Sequence, residues 1–164
     1  MTRIVISRCL GFEPCRYNGE IIAAPWLQEL ASKAHLITVC PEVEIGLGVP
    51  RKPINLLKEE DGVRVIQDDT GIDLSEEMVS FSQGYLRFID DIDAFILKSK
   101  SPSCGIETTK IHSGSSYSLG SGIFASMALS LFPQAVFVDE AFMEENGVDS
   151  LLALIDSLQD SRRD

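Results

Sequence analysis

The sequence predicts an α/β fold, a single-domain three-layer α/β/α sandwich with a mostly parallel, Rossmann-like sheet. Short apolar segments typical of buried strands alternate along the chain with stretches in which apolar residues recur at helical spacing. This alternation is typical of parallel sheets that are covered by helices on both faces. The chain has 164 residues, no internal repeat and no linker-like stretch, so we expect one domain spanning residues 1–164.

The individual elements follow from local patterns. Short runs of branched and aromatic residues predict four buried strands, at residues 3–7, 35–40, 93–98 and 134–140. A shorter strand in an edge hairpin is predicted at residues 62–67. Helical spacing predicts helices at residues 24–34, 75–89, 122–132 and 142–159.

Signals at the ends of these elements complete the prediction. Pro25 suits a first helical turn, and Asp73 or Ser75 could cap the second helix. The N–H groups that begin the helix near Gly122 would favour an anionic or carbonyl oxygen. Two stretches rich in glycine with proline or serine, residues 41–56 and 110–122, are predicted to be loops.

Composition excludes several classes of partner. The net charge is −11 at pH 7 and no basic stripe is present, which argues against a nucleic-acid partner. No segment reaches the roughly 18 continuous apolar residues of a membrane span, and the N-terminal apolar run is too short for a signal peptide. We therefore expect a cytoplasmic protein, in which cysteines stay reduced and serve as metal ligands, catalytic groups or core residues.

Three of the four cysteines come directly after predicted strands or end them. Cys9 follows the first strand, Cys40 ends the second, and Cys104 lies in the loop after the third. Because the carboxyl ends of parallel strands share one edge of the sheet, these thiols are predicted to meet in a crevice there. Cys15 lies in a polar turn, where this rule does not place it.

Three thiolates that meet in this way are consistent with two kinds of metal site. One is an iron–sulfur cluster of four irons with three protein ligands, which leaves one iron open. The other is a catalytic zinc with three protein ligands and a water. No close-spaced motif such as CxxC is present, and a single cysteine is often only a buried core residue.

Four segments together resemble a known protein family. They are SRCLGFEPCRYNG, VCPEVEIGLGVPRKP, ILKSKSPSCG and the glycine-rich GSSYSLGSG. In these blocks and in their order the chain is similar to a family, once described only as a domain of unknown function, that includes the thiouracil desulfidases. The resemblance extends from residue 3 to about residue 140.

The resemblance implies a cofactor and a reaction. It implies an oxygen-sensitive 4Fe–4S cluster held by Cys9, Cys40 and Cys104, whose open iron takes the sulfur of a thiolated pyrimidine such as 2-thiouracil. Water then replaces the sulfur to give uracil, hydrosulfide leaves, and no net redox change is needed. Cys15 departs from the family pattern and leaves open a site with four cysteine ligands.

The proposed reaction needs a base and polar groups around the ring. Glu42, two residues after Cys40, is predicted to be the general base, although it could merely face solvent. The resemblance places a catalytic serine in the SPSCG block, which favours Ser101. Ser103 could hydrogen-bond the pyrimidine or the cluster, but serine next to proline is also common in turns.

Basic and aromatic residues are predicted to contact the substrate. Arg16 and Tyr17 could pair with or stack on a planar ring, or could lie on the protein surface, and Arg51 is similar in character. Lys98 would add positive charge near the cluster if it is not simply solvated. The expected partner is a small thiolated pyrimidine, and the sequence carries no signal for an oligomeric state.

Two other functions remain open on the sequence alone. A zinc-dependent hydrolase could use the same crevice, although the deaminase signature of H-x-E with P-C-x-x-C is absent. A non-catalytic iron–sulfur or sulfur carrier would use the same cysteines without turning over a substrate.

Overall fold

Eight strands and five helices make up the computed structural model, which describes residues 1–164. The strands are β1 (Arg3–Ser7), β2 (His35–Val39), β3 (Ile54–Glu59), β4 (Gly62–Gln67), β5 (Ala94–Ile96), β6 (Thr109–Ser113), β7 (Ser116–Gly120) and β8 (Val136–Val138). The helices are α1 (Leu27–Lys33), α2 (Pro41–Glu44), α3 (Ser75–Phe88), α4 (Ile123–Leu131) and α5 (Glu140–Asp160).

A parallel sheet with the strand order β2-β1-β5-β8 forms the middle layer. In β1, Ile4 and Ile6 belong to one apolar core while Val5 belongs to another, because successive side chains of a strand point to opposite faces. The first core lies between the sheet and helices α1 and α5, and the second lies between the sheet and helices α3 and α4. The predicted α/β/α sandwich is therefore confirmed.

A second sheet of four strands, in the order β4-β3-β6-β7, was only partly predicted. β3 and β4 form an antiparallel hairpin with β4 at the edge, in line with the strand predicted at residues 62–67. The prediction of loops at residues 41–56 and 110–122 was wrong. These stretches contain α2, the start of β3, nearly all of β6 and all of β7.

The composition of β7 explains the error. Its sequence SYSLG is largely exposed, so it carries no continuous apolar run, and serine and glycine are weak strand formers. Antiparallel pairing with β6 stabilises it all the same. In strands with one face towards solvent, polar and apolar residues alternate along the sequence. The prediction searched for continuous apolar stretches and therefore missed this strand.

The helices begin close to the predicted positions. α3 starts at Ser75, and the carboxylate of Asp73 accepts a hydrogen bond from the Ser75 N–H at 2.9 Å, although Leu74 occupies the N-cap position itself. α5 begins at Glu140 and bends at Gly147, whose φ of 81° lies in the left-handed region. None of the five helices combines the length and the apolar character that crossing a lipid bilayer requires.

Candidate active site

A cavity of about 620 Å³ opens at the carboxyl edge of the parallel sheet. The chain moves from β1 outward to β2 and then back past β1 to β5, so the strand order reverses at β1. Crevices at such reversals are where open α/β sheets bind ligands. All residues that the sequence predicted for the site line this cavity, namely Cys9, Arg16, Tyr17, Cys40, Glu42, Lys98, Ser101, Ser103 and Cys104.

The thiols of the cavity are free and buried. Cys9 lies two residues after β1, Cys40 directly follows β2, and Cys104 lies in the loop after β5. Burial raises the pKa of the Cys104 thiol to about 12, although hydrogen bonds with the hydroxyls of Ser7 and Ser103 partly lower it. Because metals bind the thiolate, loading this site with a metal cofactor must release protons.

Cys15 lies among these thiols, which the sequence did not predict. Cys15 lines the same cavity as Cys9 and Cys40, and its main-chain oxygen lies 3.9 Å from Cys40 Sγ. The hydrogen bond with Cys15 and the burial of the thiol raise the pKa of Cys40 well above its ordinary value. Four cysteines therefore share one cavity.

The donor set fits an iron–sulfur cluster. Cysteine thiolates are the usual ligands of such clusters, and thiols from three strand ends surround this cavity. The structure contains no group of three His, Cys, Asp or Glu side chains close enough to share a single metal ion. A cluster of four irons binds each cysteine through a different iron, and it therefore needs its ligands around a cavity rather than around a point.

The loop KSKSPSCG is organised by the hydroxyl of Ser101. This oxygen accepts hydrogen bonds from the N–H of Cys104 at 3.0 Å and of Ser103 at 3.3 Å. The Ser103 hydroxyl in turn donates to Cys104 Sγ at 3.7 Å. A side chain at Gly105 would overlap the hydroxyl of Thr109, which bonds the Ser101 carbonyl. The serines and the glycine thus hold the Cys104 thiol in place.

The start of α4 packs directly on this loop. The N–H groups of Gly122, Ile123 and Ala125 donate to the carbonyls of Gly105, Pro102 and Ser103 at 2.8, 3.1 and 3.0 Å respectively. These N–H groups thus bond carbonyl oxygens, one of the two kinds of oxygen expected for them, and the carbonyls belong to the protein's own loop. A Cβ at position 122 would lie 2.8 Å from Cys104 N, so only glycine fits there.

Glu42 is carried by α2, the short helix that follows Cys40. Its side chain is only 13% exposed, and its Oε2 lies 3.4 Å from Arg51 Nη2. Burial raises the pKa of the Glu42 carboxyl, and the guanidinium groups of Arg51 and Arg16 limit that rise. A carboxyl in this state exchanges protons more readily near neutral pH than an exposed one.

Lys98 lines the cavity, but its ammonium group is engaged elsewhere. It lies 2.9 Å from the Glu140 carboxylate and donates to the carbonyl and the hydroxyl of Ser99 at 2.9 and 3.2 Å. Glu140, at the start of α5, also accepts from the Ser99 N–H at 2.9 Å. Sequence reasoning missed Glu140, although the rule used for the cysteines applies to it, because it follows β8 at the same edge of the sheet.

Arg16 and Tyr17 lie together in the cavity wall. The Arg16 guanidinium carbon is 5.7 Å from the centre of the Tyr17 ring, and Arg16 Nη1 lies 3.3 Å from the Glu20 carboxylate. Tyr17 is 41% exposed. The pair therefore offers an aromatic face and a cation that are both in reach of solvent.

A scan against protein-family models identifies the family. Residues 4–140 match the model of the 2-thiouracil desulfurase family. The chain belongs to this family. The family predicted from the sequence is thus confirmed, and the match covers most of the chain, including every residue predicted for the site.

Two similar proteins support the assignment. The chain is 34% identical over 109 residues to the uncharacterized protein YbbK of Bacillus subtilis. The matched region covers 62% of this chain and 72% of that protein. The chain is similar in structure to the 4Fe–4S-dependent thiouracil desulfidase TudS, with a TM-score of 0.68 and 26% identity. That match covers 94% of this chain and 99% of the neighbour, so the α/β fold is shared throughout.

Proposed function

We propose that the protein is a thiouracil desulfidase, which converts a thiolated pyrimidine such as 2-thiouracil into uracil and releases hydrosulfide. The observation that supports this most is that cysteines from three strand ends and the buried carboxyl of Glu42 line a single cavity in a member of this family. The reaction replaces the sulfur of the thiocarbonyl group with the oxygen of a water molecule. Thiouracil and water therefore give uracil and hydrosulfide without an electron donor.

Cys9, Cys40 and Cys104 would hold a 4Fe–4S cluster in this proposal. When bound, such a cluster supplies an iron without a protein ligand, a soft Lewis acid suited to a thiocarbonyl sulfur. The neighbour TudS depends on a cluster of this type, which supports the same cofactor here. The protein would work where thiols stay reduced, as in the cytoplasm.

Glu42 would serve as the general base. It would take a proton from the water that attacks the thiocarbonyl carbon and return a proton to the departing sulfur. Its low exposure and the direction of its pKa shift support this role, since a base works best when its pKa lies near the working pH.

Ser101 would act as a hydrogen-bond donor to the substrate. Its oxygen already accepts bonds from two backbone N–H groups, so its hydroxyl hydrogen is free for Ser103, 3.1 Å away, or for a ring atom of the pyrimidine. Ser103 would share this hydrogen-bond relay. Arg16 and Tyr17 would hold the face of the ring, and Lys98, whose ammonium group is paired with Glu140, would line the cavity beside the substrate.

One experiment tests the proposal directly. The cluster is reconstituted without oxygen, 2-thiouracil is added, and iron content, uracil and sulfide are measured. We expect a brown protein that releases uracil and sulfide in equal amounts. Cys40→Ala should lose both iron and turnover, whereas Cys15→Ala, the matched control, should lose neither.

The other outcomes each identify a different function. A protein that binds iron but releases no uracil would be a carrier. Turnover by a colourless protein that contains zinc would indicate the zinc-dependent hydrolase. Loss of iron in Cys15→Ala would make Cys15 a fourth ligand and contradict the ligand set with an open iron.

A substitution of the base separates catalysis from cluster binding. Glu42→Gln should keep its iron while kcat falls by about 10²- to 10⁴-fold, the usual contribution of a general base. Glu44→Gln is the control, because Glu44 lies on the same short helix but pairs with Arg8. Equal rates for Glu42→Gln and the wild type would remove Glu42 from the mechanism.

A further inference from the structure

A buried arginine lies in the wall of the cavity with no role in the reaction as described so far. Arg51 belongs to the segment between α2 and β3, and its side chain is only 4% exposed. A buried charge is costly unless it is paired and hydrogen-bonded, and the contacts of this guanidinium group meet both conditions.

One end of the guanidinium is fixed by the main chain. Arg51 Nη1 donates to the carbonyl of Cys15 at 2.9 Å and to that of Gly48 at 3.3 Å. The backbone N–H of Arg51 donates to the carbonyl of Tyr17 at 2.8 Å. The group is therefore anchored to two loops of the cavity wall through atoms that do not depend on any other side chain.

The other edge of the guanidinium faces Glu42. Nη2 lies 3.4 Å from Glu42 Oε2, and Nε, on the same edge, is buried without a hydrogen-bond partner. A close charge-assisted bond of this kind measures about 2.7–2.9 Å. The carboxylate thus lies next to an edge of the guanidinium that has two donors for it, and one of them, Nε, is still free to pair with it.

We propose that Arg51 is the positioning residue for Glu42. Its anchored guanidinium holds the carboxylate in one orientation at the cavity wall, so that Glu42 meets the attacking water without first having to turn. The inference rests on the proposed function, in which Glu42 is the base. A lysine could not replace Arg51 in full, because an ammonium group is a point charge and lacks the planar fork that anchors at one end and pairs at the other.

Steady-state kinetics of Arg51→Lys test the inference. We expect kcat to fall by about 10- to 100-fold, the range for a misplaced catalytic group, while KM changes less than about threefold. Iron content after reconstitution and the thermal midpoint should stay near those of the wild type. Arg51→Gln, which removes the positive charge, should lower kcat further than Arg51→Lys does. Arg64→Lys is the control, since Arg64, on β4, contacts the carboxylates of Glu59, Asp61 and Asp73 but does not line the cavity.

A double-mutant cycle separates positioning from a general structural role. If Arg51 acts through Glu42, then Arg51→Lys should cause almost no further loss in a Glu42→Gln background. An equal loss in both backgrounds would overturn the inference, and so would a loss of iron in proportion to the loss of kcat in either Arg51 variant.

Failure of the proposed function would look different. In that case wild-type protein with a full complement of iron would release no uracil or sulfide from 2-thiouracil. If the wild type is active and Glu42→Gln is impaired, but Arg51→Lys and Arg51→Gln behave as the wild type does, only the role of Arg51 is wrong.

Discussion

The two sheets contribute to the same cavity in different ways. The parallel sheet supplies reactive groups from the loops at its carboxyl edge, including Cys9, Cys40, Glu42 and Cys104. The second sheet supplies a wall without a thiol or a carboxylate, made of Ile54, Asn55, Leu56, Thr109, Lys110, His112 and Leu119.

This division follows from the geometry of the strands. In a parallel sheet the loops after several strands converge on one edge, so residues that are distant in sequence meet there. The hairpins of the second sheet instead present whole strands, whose side chains form a surface. We therefore expect substitutions in the second sheet to act on stability and on the shape of the cavity, and substitutions at the edge of the parallel sheet to act on chemistry.

The largest expected effect tests whether the two sheets are one folding unit. Ile6 in β1 and Leu56 in β3 are both fully buried, in different apolar cores. Ile6→Ala and Leu56→Ala should each lower the free energy of unfolding by about 2–5 kcal/mol. In a single domain both should shift the same transition, measured by denaturant unfolding of the reduced, cluster-free protein. Two separate transitions, each sensitive to one substitution, would divide the chain into two domains.

A smaller effect is expected where α4 meets the loop that carries Cys104. Gly122→Ala would place a methyl group against the backbone of Ser103 and Cys104, and overpacking of this kind costs about 1–3 kcal/mol. Gly84→Ala is the control, since Gly84 lies inside α3 with open space around it. Alanine in a helix interior should raise the free energy of unfolding by about 0.5–1 kcal/mol relative to glycine. Thermal unfolding of both variants measures the difference. A Gly122→Ala protein as stable as the wild type would show that the loop is not held by this contact.

The same contrast between the sheets explains how far the sequence predicts the fold. β1 is buried in the middle layer and β2, at the edge of that sheet, is only partly buried, but both carry continuous apolar runs, so their predicted bounds agree to within one residue. β6 and β7 carry serine, threonine and glycine and are partly exposed, so the same criterion predicted a loop. Cross-strand pairing, which local composition does not record, stabilises them.

The site divides in a similar way. The strand-end rule brought Cys9, Cys40 and Cys104 to one cavity, because it depends only on topology. Cys15 and Arg51 lie in loops whose paths are set by tertiary contacts, such as the bond from Arg51 to the Cys15 carbonyl. No periodic pattern in the sequence indicates contacts of this kind.

The smallest expected effect compares, as the pH falls, an acid next to each sheet: Glu140 after β8 and Asp73 before α3. Burial alone would raise the pKa of Glu140, but hydrogen bonds from Ser99 and Lys98 lower it below its usual value. A lowered pKa means that the ion contributes stability above the unfolded pKa of about 4.3 and that this contribution is lost as the pH falls through the folded value. Glu140→Gln should therefore lower the free energy of unfolding at pH 7 by about 1 kcal/mol, the difference between charged and neutral hydrogen bonds.

The deciding measurement is the stability gap between wild type and Glu140→Gln as a function of pH. It should be full at neutral pH, shrink below about pH 4.3 and vanish at lower pH. Asp73, beside the second sheet, also has a lowered pKa, through hydrogen bonds with Ser75, but it is exposed to solvent that screens its charge. Asp73→Asn should thus show a smaller gap. A gap for Glu140→Gln that stays constant down to the lowest pH would mean that the variant loses packing at the edge of the parallel sheet rather than the charged contacts with Ser99 and Lys98.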